Sequence, residues 1–144
     1  MRRRILVAYD GSELSKEALQ EAKLQAIGVP ETEVHVLAVV TKAGPTMNHV
    51  VAHSIQKEIA EELKPEMDEI KKAFQAENIA IEILVHIDDK QRNPGKTVCE
   101  YAKVNDIDLI VAGSRGLGSV KQLFLGSVSN HIVQYAHCPI LIIK

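Results

Sequence analysis

A chain of 144 residues with 46% hydrophobic and 3% aromatic side chains reads as one domain, 1–144, around an aliphatic core. A chain of that size buries roughly 70% of the surface its unfolded form exposes, so it needs no disulfide or metal staple. A formal net charge of −2 disfavours non-specific nucleic-acid binding, and no stretch approaches the ~18 apolar residues of a membrane span. The two cysteines, Cys99 and Cys138, lack metal or redox spacing and read as small buried apolar residues in a reducing compartment. Arg2-Arg3-Arg4 looks like the start of a signal peptide, but the apolar run after it, Ile5 to Tyr9, is too short for one. A cytoplasmic protein is expected.

Ile5 to Tyr9 is continuously apolar and predicts a central parallel strand. Asp10-Gly11-Ser12 is turn chemistry, with Ser12 suited to cap the next helix. Leu14, Ala18 and Ala22 stripe that helix, which should end near Gly28-Val29-Pro30. Val34 to Val40 is a second strand, and strand–helix–strand without a hairpin turn is a right-handed crossover unit. Thr41 to Asn48, with Gly44-Pro45, predicts a loop. Ile55, Ile59, Leu63, Met67, Ile70 and Phe74 then stripe a long helix whose phase survives Pro65, so a kink is expected rather than a break. Its acidic residues, Glu58, Glu61, Glu62, Glu66, Asp68 and Glu69, fall mostly on the outer, solvated face.

Ile79 to Ile87 alternates with a charge on one face, the mark of an edge strand. Asp88 to Gly95 is polar, and Val98, Tyr101 and Ala102 give a short helix after it. Leu109 to Ala112 is apolar throughout and reads as a strand buried on both faces. Val128, Ile132 and Ala136 mark a last helix, with His131 and His137 toward its end, and Ile140 to Ile143 closes the chain as a strand. The order βαβαβαβαβ is that of an α/β fold, an open five-stranded parallel sheet with helices on both faces.

Between the Leu109 strand and the last helix lies Gly113-x2-Gly116-x9-Gly126-Ser127. A strand, a glycine loop and a helix N-terminus together suit a phosphate. The first amides of a helix have no internal partner, and its dipole favours an anion. Gly113 and Gly116 would allow positive φ and close approach to a ligand. Ser127 and Ser129 would add hydroxyl donors, with Ser127 also a cap. The plainer reading is a turn and a capped helix. Two other signals fail. Gly95-Lys96-Thr97 resembles the tail of a P-loop, but its first glycine would fall on Lys90. His49 and His53 lie four apart, but a zinc site needs a third protein ligand.

The glycine spacing, together with Val7-Ala-Tyr-Asp-Gly-Ser, Asp108-Leu-Ile-Val-Ala-Gly-Ser-Arg-Gly and His137-Cys-Pro-Ile-Leu-Ile-Ile, resembles the universal stress protein family over nearly the whole chain. The resemblance implies a Rossmann-like sheet in the order 3-2-1-4-5, an adenine-nucleotide site and a homodimer through Ile140–Ile143. Strands one and four would then be neighbours whose connections leave in opposite directions, the place where such sheets bind ligands. Family members without the glycine pattern generally do not bind ATP.

Carried over residue by residue, the resemblance puts Ala8 and the backbone of Val39 at adenine. Asp10 falls near ribose and a Mg²⁺ ion, Gly113 and Gly116 along ribose and phosphates, and Gly126, Ser127, Val128 and Ser129 around the phosphates. Arg115 and Lys121 are extra cations of the loop. The family has a shorter turn than Asp88–Gly95, which leaves that loop without an implied role. ATP carries about four negative charges, more than a helix dipole and one or two cations neutralise, so Mg²⁺ is expected. Three functions fit: an ATP-binding regulatory protein, a slow ATPase or nucleotidyl-transfer enzyme, and an interaction subunit with structural nucleotide. No base beside the γ-phosphate is evident, which weighs against a dedicated enzyme.

Overall fold

The computed structural model describes residues 2–41, 48–88, 90, 93–116 and 126–144, with His49 described in its backbone only. The elements run β1 (Arg3–Ala8), α1 (Glu13–Gly28), β2 (Thr32–Thr41), α2 (His49–Ala76), β3 (Ala80–Asp88), α3 (Pro94–Val104), β4 (Leu109–Gly113), α4 (Ser127–Tyr135) and β5 (Ile140–Ile143). The five strands form one sheet in the order β3-β2-β1-β4-β5, parallel throughout. This is the expected Rossmann-like architecture. The interior of the 113–126 connection, with Lys121, lies outside the described residues, as does most of the 41–48 loop.

The alternation of side chains along each strand divides the core into two layers. Ile5, Val7 and Tyr9 of the β1 segment, with Val34, Val36 and Ala38 of β2 and Val111 of β4, pack under α1 and α2 through Ala18, Ala22, Met67 and Phe74. Leu6, Leu37, Ile110 and Ala112 point the other way, against Val98, Ala102 and Ile132 of α3 and α4. β1 from Ile5 onward and β4 are apolar because both their faces are covered there. β3 alternates because it is the edge, and its Leu84 is 42% exposed.

Several boundaries move. β2 runs beyond Val34–Val40 in both directions because Thr32 pairs with Arg3 and Thr41 with Asp88, so backbone ladder outlasts the apolar run. Tyr9 lies just past β1, although its amide still donates to the Leu37 carbonyl at 2.9 Å. α2 continues through Pro65 as one helix. α4 ends at Tyr135, so Ala136 caps it and His137 lies beyond. The acidic face of α2 is solvated except at Glu66, which is half-buried and accepts a hydrogen bond from the Tyr9 hydroxyl. Cys99 and Cys138 are half-buried rather than fully so. Burial pushes both thiols above the usual range, which keeps them unreactive.

Beneath β2 on the α3 side, His35 is only 6% exposed. Its Nε2 lies 2.7 Å from the Glu33 carboxylate and its Nδ1 2.6 Å from the Tyr101 hydroxyl. A carboxylate only accepts, so Nε2 donates to Glu33 and, in neutral imidazole, Nδ1 accepts from Tyr101. Glu33 is also held by Arg2 at 3.1 Å.

Candidate functional site

A cleft of about 830 Å³ opens at the carboxyl ends of β1, β2 and β4, where the sheet order reverses. Ala8, Asp10, Val39, Gly113, Arg115, Gly116, Gly126, Ser127, Val128 and Ser129 all line it. Ten positions spread over most of the chain thus meet in one depression.

The β1–α1 turn shapes one rim. Gly11 has φ +84°, and among the described glycines it is the one with positive φ. That turn lets the Asp10 Oδ1 accept from the Ser12 amide at 2.9 Å. Ser12 then caps α1, its Oγ accepting from the Ser15 amide at 3.2 Å.

The glycines of the loop serve close approach rather than positive φ, contrary to the expectation for Gly113 and Gly116. A Cβ on Gly113 would lie 2.7 Å from the Leu14 Cβ, so this glycine lets α1 rest on β4. A Cβ on Gly116 would overlap the Asp10 carboxylate. Gly126 has φ −64° and ψ 166°, extended backbone open to any residue, and its Cβ would lie 3.3 Å from the Ser114 carbonyl oxygen. That carbonyl staples the loop: it accepts from the Gly126 amide at 2.7 Å and from the Ser129 hydroxyl at 3.1 Å. The Ser114 amide in turn donates to Ile143 of β5 at 2.7 Å.

The serines divide their work differently from expectation. Gly126, not Ser127, is the N-cap of α4, and it supplies no side chain. Ser127 is the first helical residue, with an exposed side chain. Ser129 is 3% exposed. Its hydroxyl is aimed at the Ser114 and Gly126 carbonyls, both at 3.1 Å, so it supports the site's backbone instead of offering a donor to a ligand.

Three helix N-termini converge here, since Ser12 and Ser15 of the α1 start, Pro94 of α3 and Ser127 to Ser129 of α4 all line the cleft. α1 is capped by Ser12. α3 is capped by Asn93, whose Oδ1 accepts from the Gly95 amide at 2.7 Å while its Nδ2 donates to the Ser127 carbonyl at 3.2 Å. α4 has no side-chain cap, and its first intrahelical bond runs from Asn130 to Gly126 at 2.9 Å. The amides of 127 to 129 therefore make no intrahelical bond, and of the three ends α4 is the one without a side-chain cap, which suits it to an anion. Gly95-Lys96-Thr97 lies within the first turn of α3. A Cβ on Gly95 would meet the Val128 carbonyl at 2.8 Å and the His131 Cβ at 2.9 Å, so this glycine packs α3 on α4.

Tyr9, Leu37, Ala38, Val40, Thr41, Ile59, Leu63, Pro94, Val98 and Ala112 also line the cleft. Sequence periodicity assigns most of them to the core, and nothing in that periodicity says that the core surface continues into an open wall. Burial and the Glu66 contact push the Tyr9 phenol well above its usual range, so it stays neutral.

A family model described as "Universal stress protein family" matches residues 1–144. "Universal stress protein YxiE" of Bacillus subtilis is 34% identical over 98% of each chain. "Universal stress protein Sll1388" of Synechocystis is 31% identical over 98% of this chain and 97% of its own. Among solved structures, that of the hypothetical protein MJ0577 superposes with a TM-score of 0.87 at 24% identity, covering 100% of this chain and 96% of its own. A universal stress protein from Archaeoglobus fulgidus, solved in complex with dAMP, matches with a TM-score of 0.67 at 20% identity, covering 100% and 98% of the two chains. Another, solved in complex with cAMP, matches at 0.68 and 20% identity, covering 99% and 96%.

Proposed function

The chain belongs to the universal stress protein family, and from that premise we propose that it is an ATP-binding regulatory protein of the stress response. The observation that carries this is the uncapped N-terminus of α4 opening into the same cleft as Ala8, Asp10 and Val39. In this reading the amides of Ser127, Val128 and Ser129 hold the phosphates. Val39 and Ala8 border the adenine, while Gly113 and Gly116 lie along ribose and phosphates. The dAMP and cAMP complexes of the two structural neighbours support an adenine nucleotide. Asp10 lies at the rim with a carboxylate suited to Mg²⁺, the hard cation that a triphosphate needs, and Arg115 adds charge. The bound metal would neutralise the phosphates, and the chain's own residues orient and enclose them.

The chain acts as one domain over 1–144, as a homodimer in the cytoplasm. Its β5 lies at the end of the sheet with all four residues half-buried, and pairing with a second copy would cover that edge. Catalysis is the second reading. Phosphoryl transfer needs a positioned nucleophile and a base beside the γ-phosphate. Among the described residues Asp10 is the one carboxylate lining the cleft, and the proposal assigns it to the metal. A turnover above ~1 s⁻¹, the range of ordinary enzymes, would put catalysis first. The experiment for the main reading is mass spectrometry of whatever is released when freshly purified protein is denatured. ATP or another adenine nucleotide near one per chain is expected. Protein that neither carries nor takes up adenine nucleotide overturns the reading.

A further inference from the structure

Four residues of α2, Gln56, Ile59, Leu63 and Glu66, are spaced three, four and three apart and so share one helix face. The inner two line the cleft, and the outer two are bonded to the strand ends, Gln56 to β2 and β3 and Glu66 to Tyr9 just past β1. Gln56 is 1% exposed, and its Nε2 donates to the Val40 carbonyl at 3.2 Å and the Asp88 carbonyl at 2.7 Å. Those carbonyls sit at the carboxyl ends of β2 and β3, where the ladder closes with Val40 beside Ile87 and Thr41 beside Asp88. One carboxamide thus ties α2 to two strands at the rim. One helical turn beyond Leu63, Glu66 accepts from the hydroxyl of Tyr9. Tyr9 is 4% exposed, lines the cleft and directly precedes Asp10.

We infer that Gln56 and Glu66 are positioning residues that set α2 as the base-side wall of the cleft and so govern which base is held. The inference rests on the nucleotide reading above. Val39, Val40 and Thr41 form the rim at the β2 end, and α2 packs on β2 and β3. The phosphate-side elements pack elsewhere, α4 against α3 and β5. A change at the Gln56 end of α2 therefore alters the space around a flat base and leaves the anion end alone. A buried carbonyl without a donor is unfavourable, so loss of Gln56 lets the rim and the helix separate. A wider slot then holds adenine less closely and loses its preference among purines.

The test compares ATP and GTP, which share the triphosphate, by calorimetry on the whole chain. Gln56→Leu keeps side-chain bulk and helix propensity but removes both donors. Its ATP affinity should fall at least fivefold while GTP changes less than twofold. Glu66→Ala should narrow the ATP preference in the same direction. Glu66→Gln keeps an acceptor for Tyr9 and should restore the parent ratio. Should Gln56→Leu fail to fold, the two variants at half-exposed Glu66 carry the test. Equal changes in ATP and GTP, or a parent that does not distinguish them, overturn the inference. A parent that binds neither removes the nucleotide reading, and this inference with it.

Discussion

The carboxylate of Asp10 fills the space that a side chain on Gly116 would need. Its Oδ1 holds the Ser12 amide at 2.9 Å, so it cannot swing aside without loosening the start of α1. Gly116→Ala should therefore displace the carboxylate proposed to face Mg²⁺. ATP affinity measured with Mg²⁺ should fall about tenfold, or about 1.4 kcal/mol, with little change in circular dichroism. Unchanged affinity would remove Asp10 from the metal position.

Ser127 and Ser129 look alike in sequence and should behave oppositely. Ser129→Ala removes the hydroxyl that the Ser114 and Gly126 carbonyls share beside their backbone donors and should cost about 1 kcal/mol of stability, read as a lower Tm without ligand. Ser127→Ala, on an exposed side chain, should leave Tm unchanged. It should weaken ATP by roughly 1.5–3 kcal/mol, the range for a hydrogen bond to a charged group. The reverse ranking would contradict the assignment of the two hydroxyls.

The difference between these serines shows what the amino-acid sequence makes legible. The apolar run Leu109–Ala112 and the alternation of β3 each follow from local burial, so strand type and position were readable, and the topology followed from the family resemblance. The spacing of Gly113, Gly116 and Gly126 points to close approach, but the partners come from elsewhere in the chain: Leu14, Asp10 and Ser114. No local rule distinguishes crowding by a helix from crowding by a ligand, which is why positive φ was expected and not found. Ile59 and Leu63 follow a core periodicity because they are half core and half cleft wall. Nothing local sets Glu66 apart from its acidic neighbours, because its partner Tyr9 is distant in the chain.

Glu33 gives the account a pH signature. Burial alone would raise its carboxyl, but hydrogen bonds from His35 and Arg2, with the charges of His35 and Arg4, hold it below the usual range. A folded-state value below the unfolded one, about 4.3, favours unfolding when the proton binds. Its stabilisation is therefore fully present above that pH and lost as pH falls through the folded value. Glu33→Gln should lower Tm at neutral pH and flatten the acid limb below about pH 4.3. A variant whose acid limb matches the parent's would contradict this.

The edge strand β5 carries Ile140, Leu141, Ile142 and Ile143, each half-buried within one chain. Light scattering at micromolar protein should report the proposed dimer. Ile142→Lys should shift it toward monomer, because covering the edge would take a charged head out of water. A monodisperse parent monomer would remove the dimer from the account.

Gly126→Val bears most directly on the central claim that the cleft holds ATP at the start of α4. The backbone at 126, φ −64° and ψ 166°, admits valine. Its side chain would crowd the Ser114 carbonyl, 3.3 Å from the Cβ, and fill the rim beside the open amides. The sheet does not depend on it, so circular dichroism and size exclusion should match the parent. Calorimetric titration of nucleotide-free protein with ATP and Mg²⁺ should show one ATP per parent chain and no binding to Gly126→Val. A variant that binds like the parent, or a parent that does not bind, would contradict the claim.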